Sequence, residues 1–154
     1  MSNKYYGYYN SPIGVLEIIT SDDAIISAMF VEEKKDKTEE SQALKNAIKQ
    51  FDEYFKGERK DFDIKYETKG TEFQMKVWDG LMKIPYGVTW SYKEMAIEIG
   101  NIKATRAVGN ANSKNIISII IPCHRVIGSD KSLTGYAGGL NRKKWLLEHE
   151  KKFL

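Results

Sequence analysis

The chain has 154 residues, room for one domain of ordinary size or two small ones and for nothing larger. With 42% hydrophobic and 29% charged residues it is not a chain disordered throughout, and its 24 Lys and Arg against 21 Asp and Glu give a formal net charge of only +3. No apolar run approaches the ~20 residues that span a bilayer, and tyrosines stand where a signal peptide would carry its hydrophobic stretch, so a cytoplasmic protein without membrane contact is expected. A single cysteine excludes an internal disulfide, and with only two histidines no four-ligand Cys/His zinc site can be assembled.

In chain order, Tyr5 to Tyr9, Val15 to Thr20 and Ile25 to Val31 read as strands, separated by the turn residues Asn10-Ser11-Pro12 and Ser21-Asp22-Asp23, which predicts an antiparallel meander. Beyond a charged stretch from Glu32 to Lys37 the period changes. Leu44, Ala47, Ile48, Phe51, Tyr54 and Phe55 recur at three- and four-residue steps, an amphipathic helix with Thr38 as its expected cap and Lys56-Gly57 at its end. Phe62, Ile64 and Tyr66 alternate with polar residues as one more expected strand. A small α/β domain therefore spans 1–68, and helix signals dominate from 69 to 154.

In that second part Thr71 with Gln74, and Ser91 with Glu94, form capping-box pairs that open two helices. Pro85 and Gly87 follow the first, and Gly100 closes the second. After Asn101-Ile102-Lys103 a further helix runs from Ala104 to Asn112, so the pair is either a helix-turn-helix or a plain helical hairpin. Arg106 and the small residues Ala107, Gly109 and Ala111 would allow close approach to a nucleic acid. The last helix is expected to start with Asn141 as cap and a Leu140–Trp145 hydrophobic staple. Charge divides along the same boundary: 10 basic against 14 acidic residues in 1–68, 14 against 7 in 69–154. The C-terminal excess suggests a polyanion partner.

The most unusual stretch is the apolar run from Ile116 to Ile121 that breaks into Pro122-Cys123-His124-Arg125. Adjacent His and Arg lower a thiol pKa from about 8.5, which makes Cys123 a candidate nucleophile. A buried structural cysteine is the alternative.

The segment Pro122-Cys123-His124-Arg125-Val126, preceded by Arg106-Ala107-Val108-Gly109 and followed by Gly135-Tyr136-Ala137-Gly138-Gly139-Leu140, resembles the O6-alkylguanine-DNA alkyltransferase family over residues 71 to 152. The resemblance implies a ribonuclease H-like N-terminal domain followed by a winged helix-turn-helix C-terminal domain. It also implies DNA repair by a monomer that needs no cofactor or metal, acting on double-stranded DNA that carries O6-alkylguanine. Cys123 would accept the alkyl group once and irreversibly; His124, through a water, and Glu150 would withdraw the thiol proton. Asn115 would brace the active-site loop. Tyr92 would press on the target phosphate and Arg106 would enter the gap left by the extruded base. Tyr136 would wall the pocket, the Ala137 amide would face O6, and the Cys123 and Val126 carbonyls would receive the exocyclic amine. Family members commonly carry proline after the motif asparagine; Ile116 in its place predicts a less rigid loop.

Three other readings compete. A binding protein of the same fold would lack the reactive cysteine, and a helix-turn-helix regulator leaves the Pro-Cys-His-Arg loop unexplained. A Cys-His hydrolase usually draws its base from elsewhere in the chain.

Overall fold

The computed structural model describes residues 3–35, 40–133 and 136–154. The chain clusters into two compact units, Met1–Thr68 and Lys69–Leu154. Among the described residues no helix is long and apolar enough to cross a membrane.

The first unit is the expected meander with one helix. Strands β1 (Tyr5–Ser11), β2 (Gly14–Thr20) and β3 (Ile25–Val31) pair antiparallel in that order, with Gly7 opposite Ile18 and Leu16 opposite Phe30. Helix α1 (Gln42–Phe55) buries Leu44, Ala47, Phe51 and Tyr54 against the face that carries Leu16 and Ile18. The close fit depends on Gly7, where a Cβ would lie 3.0 Å from a Leu44 methyl. The expected cap Thr38 lies outside the described residues. Ser41 caps the helix instead, its Oγ accepting the Leu44 amide at 3.1 Å, and Gly57 follows the last turn at φ 77°.

The strand expected at Phe62 to Tyr66 does not form. Its alternation is real, since Phe62, Ile64 and Tyr66 are half-buried between exposed neighbours, but pairing is confined to one parallel bridge between Ile25 and Tyr66. Gln50 takes the place of a partner strand there. Its Nε2 donates to the Asp63 carbonyl and its Oε1 accepts the Asp63 amide, both at 2.9 Å. A side chain that satisfies both backbone groups removes the need for a ladder.

The second unit is helical. Helix α2 (Glu72–Leu81) opens with the Thr71–Gln74 capping box and stops four residues before Pro85. The short strand β4 (Trp90–Ser91) leads directly into α3 (Tyr92–Glu98), whose Ser91–Glu94 capping box is also formed. Gly100 at φ 83° turns the chain through a single 3₁₀ turn, Ile102–Ala104, into α4 (Thr105–Ser113). The α3–turn–α4 pair packs together and against α2, and Trp78 Nε1 of α2 donates to the Ala111 carbonyl of α4 at 2.9 Å. Strand β5 (Val126–Ile127) pairs parallel with β4, Trp90 opposite Val126, so the start of α3 is tied to the loop that carries the cysteine.

The final helix, α5 (Leu140–Lys152), has its cap two residues earlier than expected. Gly139 occupies the cap position without any side-chain bond, Asn141 falls inside the first turn, and Leu140 is 49% exposed, so the expected staple is not the device that starts the helix. The buried face of α5 instead presents Lys143, Leu146 and Glu150.

Candidate active site

The apolar run before Cys123 builds a tight buried loop and not a strand. The Ile120 amide donates to the Ser118 carbonyl and the Ile121 amide to the Ile117 carbonyl, and Ile119 is forced to φ 75°. For a β-branched residue such a conformation costs on the order of 1–3 kcal/mol and persists only where its surroundings over-determine it. Asn115 is one such determinant. Its Oδ1 accepts the Ile117 amide at 3.0 Å, while its Nδ2 faces the Ile117 carbonyl at 3.2 Å, the Ile121 carbonyl at 3.0 Å and the Cys123 thiol at 3.2 Å. Ile116, where proline was expected in relatives, points outward at 45% exposure and leaves this bracing intact.

Cys123 opens a 3₁₀ turn, Cys123–Arg125, with its amide bonded to the Ile121 carbonyl at 2.7 Å. The turn sends three consecutive side chains into the interior. Burial pushes the Cys123 thiol up, opposed by the Asn115 amide hydrogen and by the Lys143 cation. The resting thiol therefore keeps its proton and needs a base before it can react.

That base is one residue away. Burial pulls His124 down, against the attraction of Glu150, so the ring is neutral. Its Nε2 lies 2.7 Å from Glu150 Oε2 and carries the proton, because a carboxylate can only accept; this fixes Nδ1 as the bare nitrogen. Nδ1 is buried without a hydrogen-bond partner among the described residues. Burial also works against the Glu150 charge, but His124 and Arg125 overcome it and hold the carboxyl well below its ordinary range. Arg125 grips Glu150 in a fork, Nε to Oε1 at 2.8 Å and Nη2 to Oε2 at 3.0 Å, while its Nη1 donates to the Ile84 carbonyl at 2.7 Å. The Gly87 amide adds a further donor to Oε1 at 3.1 Å. A carboxylate near a helix C-terminus is unfavourable, and these donors are what hold it there.

Around this centre Val126 is fully buried beside the turn, and Tyr136 is buried with its hydroxyl near Ser118 but in no well-aligned hydrogen bond. Burial, and then the charge a Cys123 thiolate would carry, push Tyr136 well above its ordinary value. Tyr92 is half-buried at the start of α3, with the Lys143 ammonium 5.8 Å from its ring centroid. Arg106 and Ala137 are exposed. Thus Cys123, His124, Asn115, Glu150, Val126 and Tyr136 are buried in one unit, and Arg106 lies on the solvent face of α4, opposite Val108, Ala111 and Asn112.

A family model described as 6-O-methylguanine DNA methyltransferase, DNA binding domain, matches residues 72–152, and its companion, the ribonuclease-like domain, matches 4–68. The chain belongs to the 6-O-methylguanine DNA methyltransferase family. Among members of this methyltransferase family, the methylated-DNA–protein-cysteine methyltransferase of Methanosarcina acetivorans is 45% identical over 152 residues, covering 95% of this chain and 97% of the relative. The crystal structure of Mycobacterium tuberculosis O6-methylguanine methyltransferase is similar with a TM-score of 0.90 at 43% identity, covering 99% of this chain and 95% of that one. The M. tuberculosis protein in complex with DNA gives a TM-score of 0.89 at 45% identity, with coverage of 96% and 93%. The expected fold, a ribonuclease-like domain followed by a helix-turn-helix DNA-binding domain, is the fold of this methyltransferase.

Two residues of this cluster are placed otherwise than the sequence suggests: Lys143 carries no signal of its own, and Arg125 is turned away from the thiol role its position suggests. Lys143 is fully buried, and burial pulls its ammonium down to about 8 although the Cys123 charge supports it. In the sequence it is one of two adjacent lysines, Lys143 and Lys144, and only the helix phase that places it with Leu146 and Glu150 tells it apart. Arg125 reads as a cation that activates the thiol, yet its guanidinium is committed to Glu150 and the Ile84 carbonyl.

Proposed function

We propose that this chain repairs DNA by moving an alkyl group from O6 of guanine onto Cys123, irreversibly and once per molecule. The observation that carries the reading is the buried Cys123 thiol on a braced loop next to a neutral His124 whose Nδ1 is bare and whose Nε2 is fixed by Glu150. The proton leaves Sγ and is relayed by a water to His124 Nδ1, and the resulting imidazolium is stabilised by Glu150. The thiolate then attacks the alkyl carbon. A C–S bond forms, the C–O6 bond breaks, and its electron pair goes to the guanine ring, which is protonated as it leaves. The Ala137 amide and Tyr136 hydroxyl donate to the base as that charge develops, and Val126 with Cys123 offers carbonyls to its exocyclic amine.

A thiol sealed in the protein interior cannot reach a stacked base, so the nucleotide must rotate out of the duplex. Tyr92 at the start of α3 presses on its phosphate, and Arg106 on the exposed face of α4 fills the gap. The 69–154 unit, net +7, carries both contact with double-stranded DNA and alkyl transfer. No metal or cofactor enters the reaction, and a monomer holds every reacting group. A reducing cytoplasm, where the thiol stays free, suits this chemistry. The product thioether is a poor leaving group and no second cysteine can take the alkyl group onward, hence a single turnover. Incubation with a duplex containing O6-methylguanine, followed by peptide mass spectrometry, should locate the methyl group on Cys123. A methyl group on any other residue, or transfer that survives Cys123→Ala, would contradict the reading.

A further inference from the structure

Tyr136 to Gly139 form a tight turn, closed by the Gly139 amide on the Tyr136 carbonyl at 3.0 Å. Gly139, at φ 93°, then leads the chain into α5, where the Lys143 amide bonds its carbonyl at 3.1 Å. Two adjacent glycines make such a turn soft, because a residue without Cβ has many backbone conformations open to it. Arg142 stiffens it. From the first turn of α5 its Nη1 donates to the Gly138 carbonyl at 3.0 Å, four residues back.

A cation is out of place at this end of a helix. The first amides form the positive pole of the macrodipole, and the opening residues Leu140-Asn141-Arg142-Lys143 include no carboxylate to offset it. Lys143 is explained by the buried face of α5, but Arg142 is only half-buried, so packing alone does not demand a guanidinium there. What the position offers is reach to the turn. Tyr136 is buried, Ala137 is exposed beside it, and the Gly138 carbonyl next in line takes the Arg142 bond. Against the burial that pushes the Tyr136 hydroxyl up, the Arg142 cation pulls it down, which sets the two groups close together. We infer that Arg142 is a positioning residue for alkyl transfer, its guanidinium locking the Tyr136–Gly139 turn so that the Ala137 amide and Tyr136 face the extruded base. The inference rests on the alkyl-transfer reading above, which assigns those two groups to the base. Without the strut the turn samples other conformations, and donors that must be aimed before charge develops on the leaving base lose their preorganisation.

The test times two reactions of the same thiol by intact-protein mass: benzyl transfer from O6-benzylguanine, which uses the turn, and alkylation by iodoacetamide, which needs only the thiolate. Both are followed from pH 6 to 10 in the full chain and in Arg142→Ala, Arg142→Met and Arg142→Lys. Arg142→Ala and Arg142→Met should lose about tenfold in benzyl transfer, the worth of one hydrogen bond from a charged donor, while their iodoacetamide rates and pH midpoints stay those of the wild-type chain. Arg142→Lys, which keeps a charged donor for a single acceptor, should recover most of that loss. Unchanged benzyl transfer in Arg142→Ala and Arg142→Met would overturn the inference. An equal loss in both reactions would overturn it too, since Arg142 would then only support the fold around Cys123. A wild-type chain that takes iodoacetamide on Cys123 but no benzyl group would remove the reading beneath the inference.

Discussion

A thiol shut away from water is a poor nucleophile until its proton has somewhere to go, and the residues around Cys123 divide that task. Asn115 and Lys143 favour the charged sulfur, His124 offers Nδ1 to the proton, and Glu150 supports the imidazolium that results. Glu150→Gln should therefore slow transfer from a free base analogue. Without that carboxylate the imidazolium–thiolate state loses its support and the apparent pKa of the Cys123 thiol rises, so the rise of rate with pH should move to higher pH, measured by intact-mass time courses from pH 6 to 10. The substitution also leaves Arg125 buried and unpaired, which costs about 3–5 kcal/mol, so rates are compared only where circular dichroism shows the fold retained. A profile with unchanged midpoint would make Glu150 a structural anchor for Arg125. Of these residues Cys123 and His124 were legible in the sequence because their chemistry stands adjacent in the chain. Lys143 was not, since its role comes from the packing of α5 against the Cys123–Arg125 turn.

At the scale of elements, α4 has two faces with separate duties. The buried one meets the active-site loop through Asn112, while Arg106 and Ala107 look outward. Arg106→Ala should therefore impair repair of a duplex by about tenfold or more while affecting a free O6-benzylguanine far less, because only a duplex leaves a gap to fill. Equal losses on both substrates would contradict that role. The capping boxes that open α2 and α3 were legible because each is closed by residues three apart, a local bond that no tertiary partner disturbs. Features that failed were those settled at long range. Gln50, thirteen residues upstream, took the backbone groups of Asp63 that a strand would have used, and α5 begins on Gly139 and not on the better capping residue Asn141.

For the whole molecule, the same buried cluster that serves the chemistry also sets the response to acid. His124 is pulled below its ordinary value, so the unfolded chain takes up a proton there first, and stability is lost as pH falls through about 6.5 toward the folded value. Glu150 is held low as well, so its contribution is present above its unfolded value and drains away as pH falls further. Urea denaturation should show stability decreasing between pH 7 and 5, and His124→Asn should flatten that decrease even though it lowers stability at pH 7; an equally steep fall in the variant would contradict the assignment. The decisive quantity is the number of lesions one molecule removes. Titrating a fixed amount of protein with a molar excess of duplex carrying O6-methylguanine, and counting repaired guanine against methylated protein by mass spectrometry, should give one repaired base and one methylated Cys123 per active molecule, with no further repair at longer times. Repair that continues past one equivalent, or that proceeds without methyl on Cys123, would contradict a single-use cysteine acceptor.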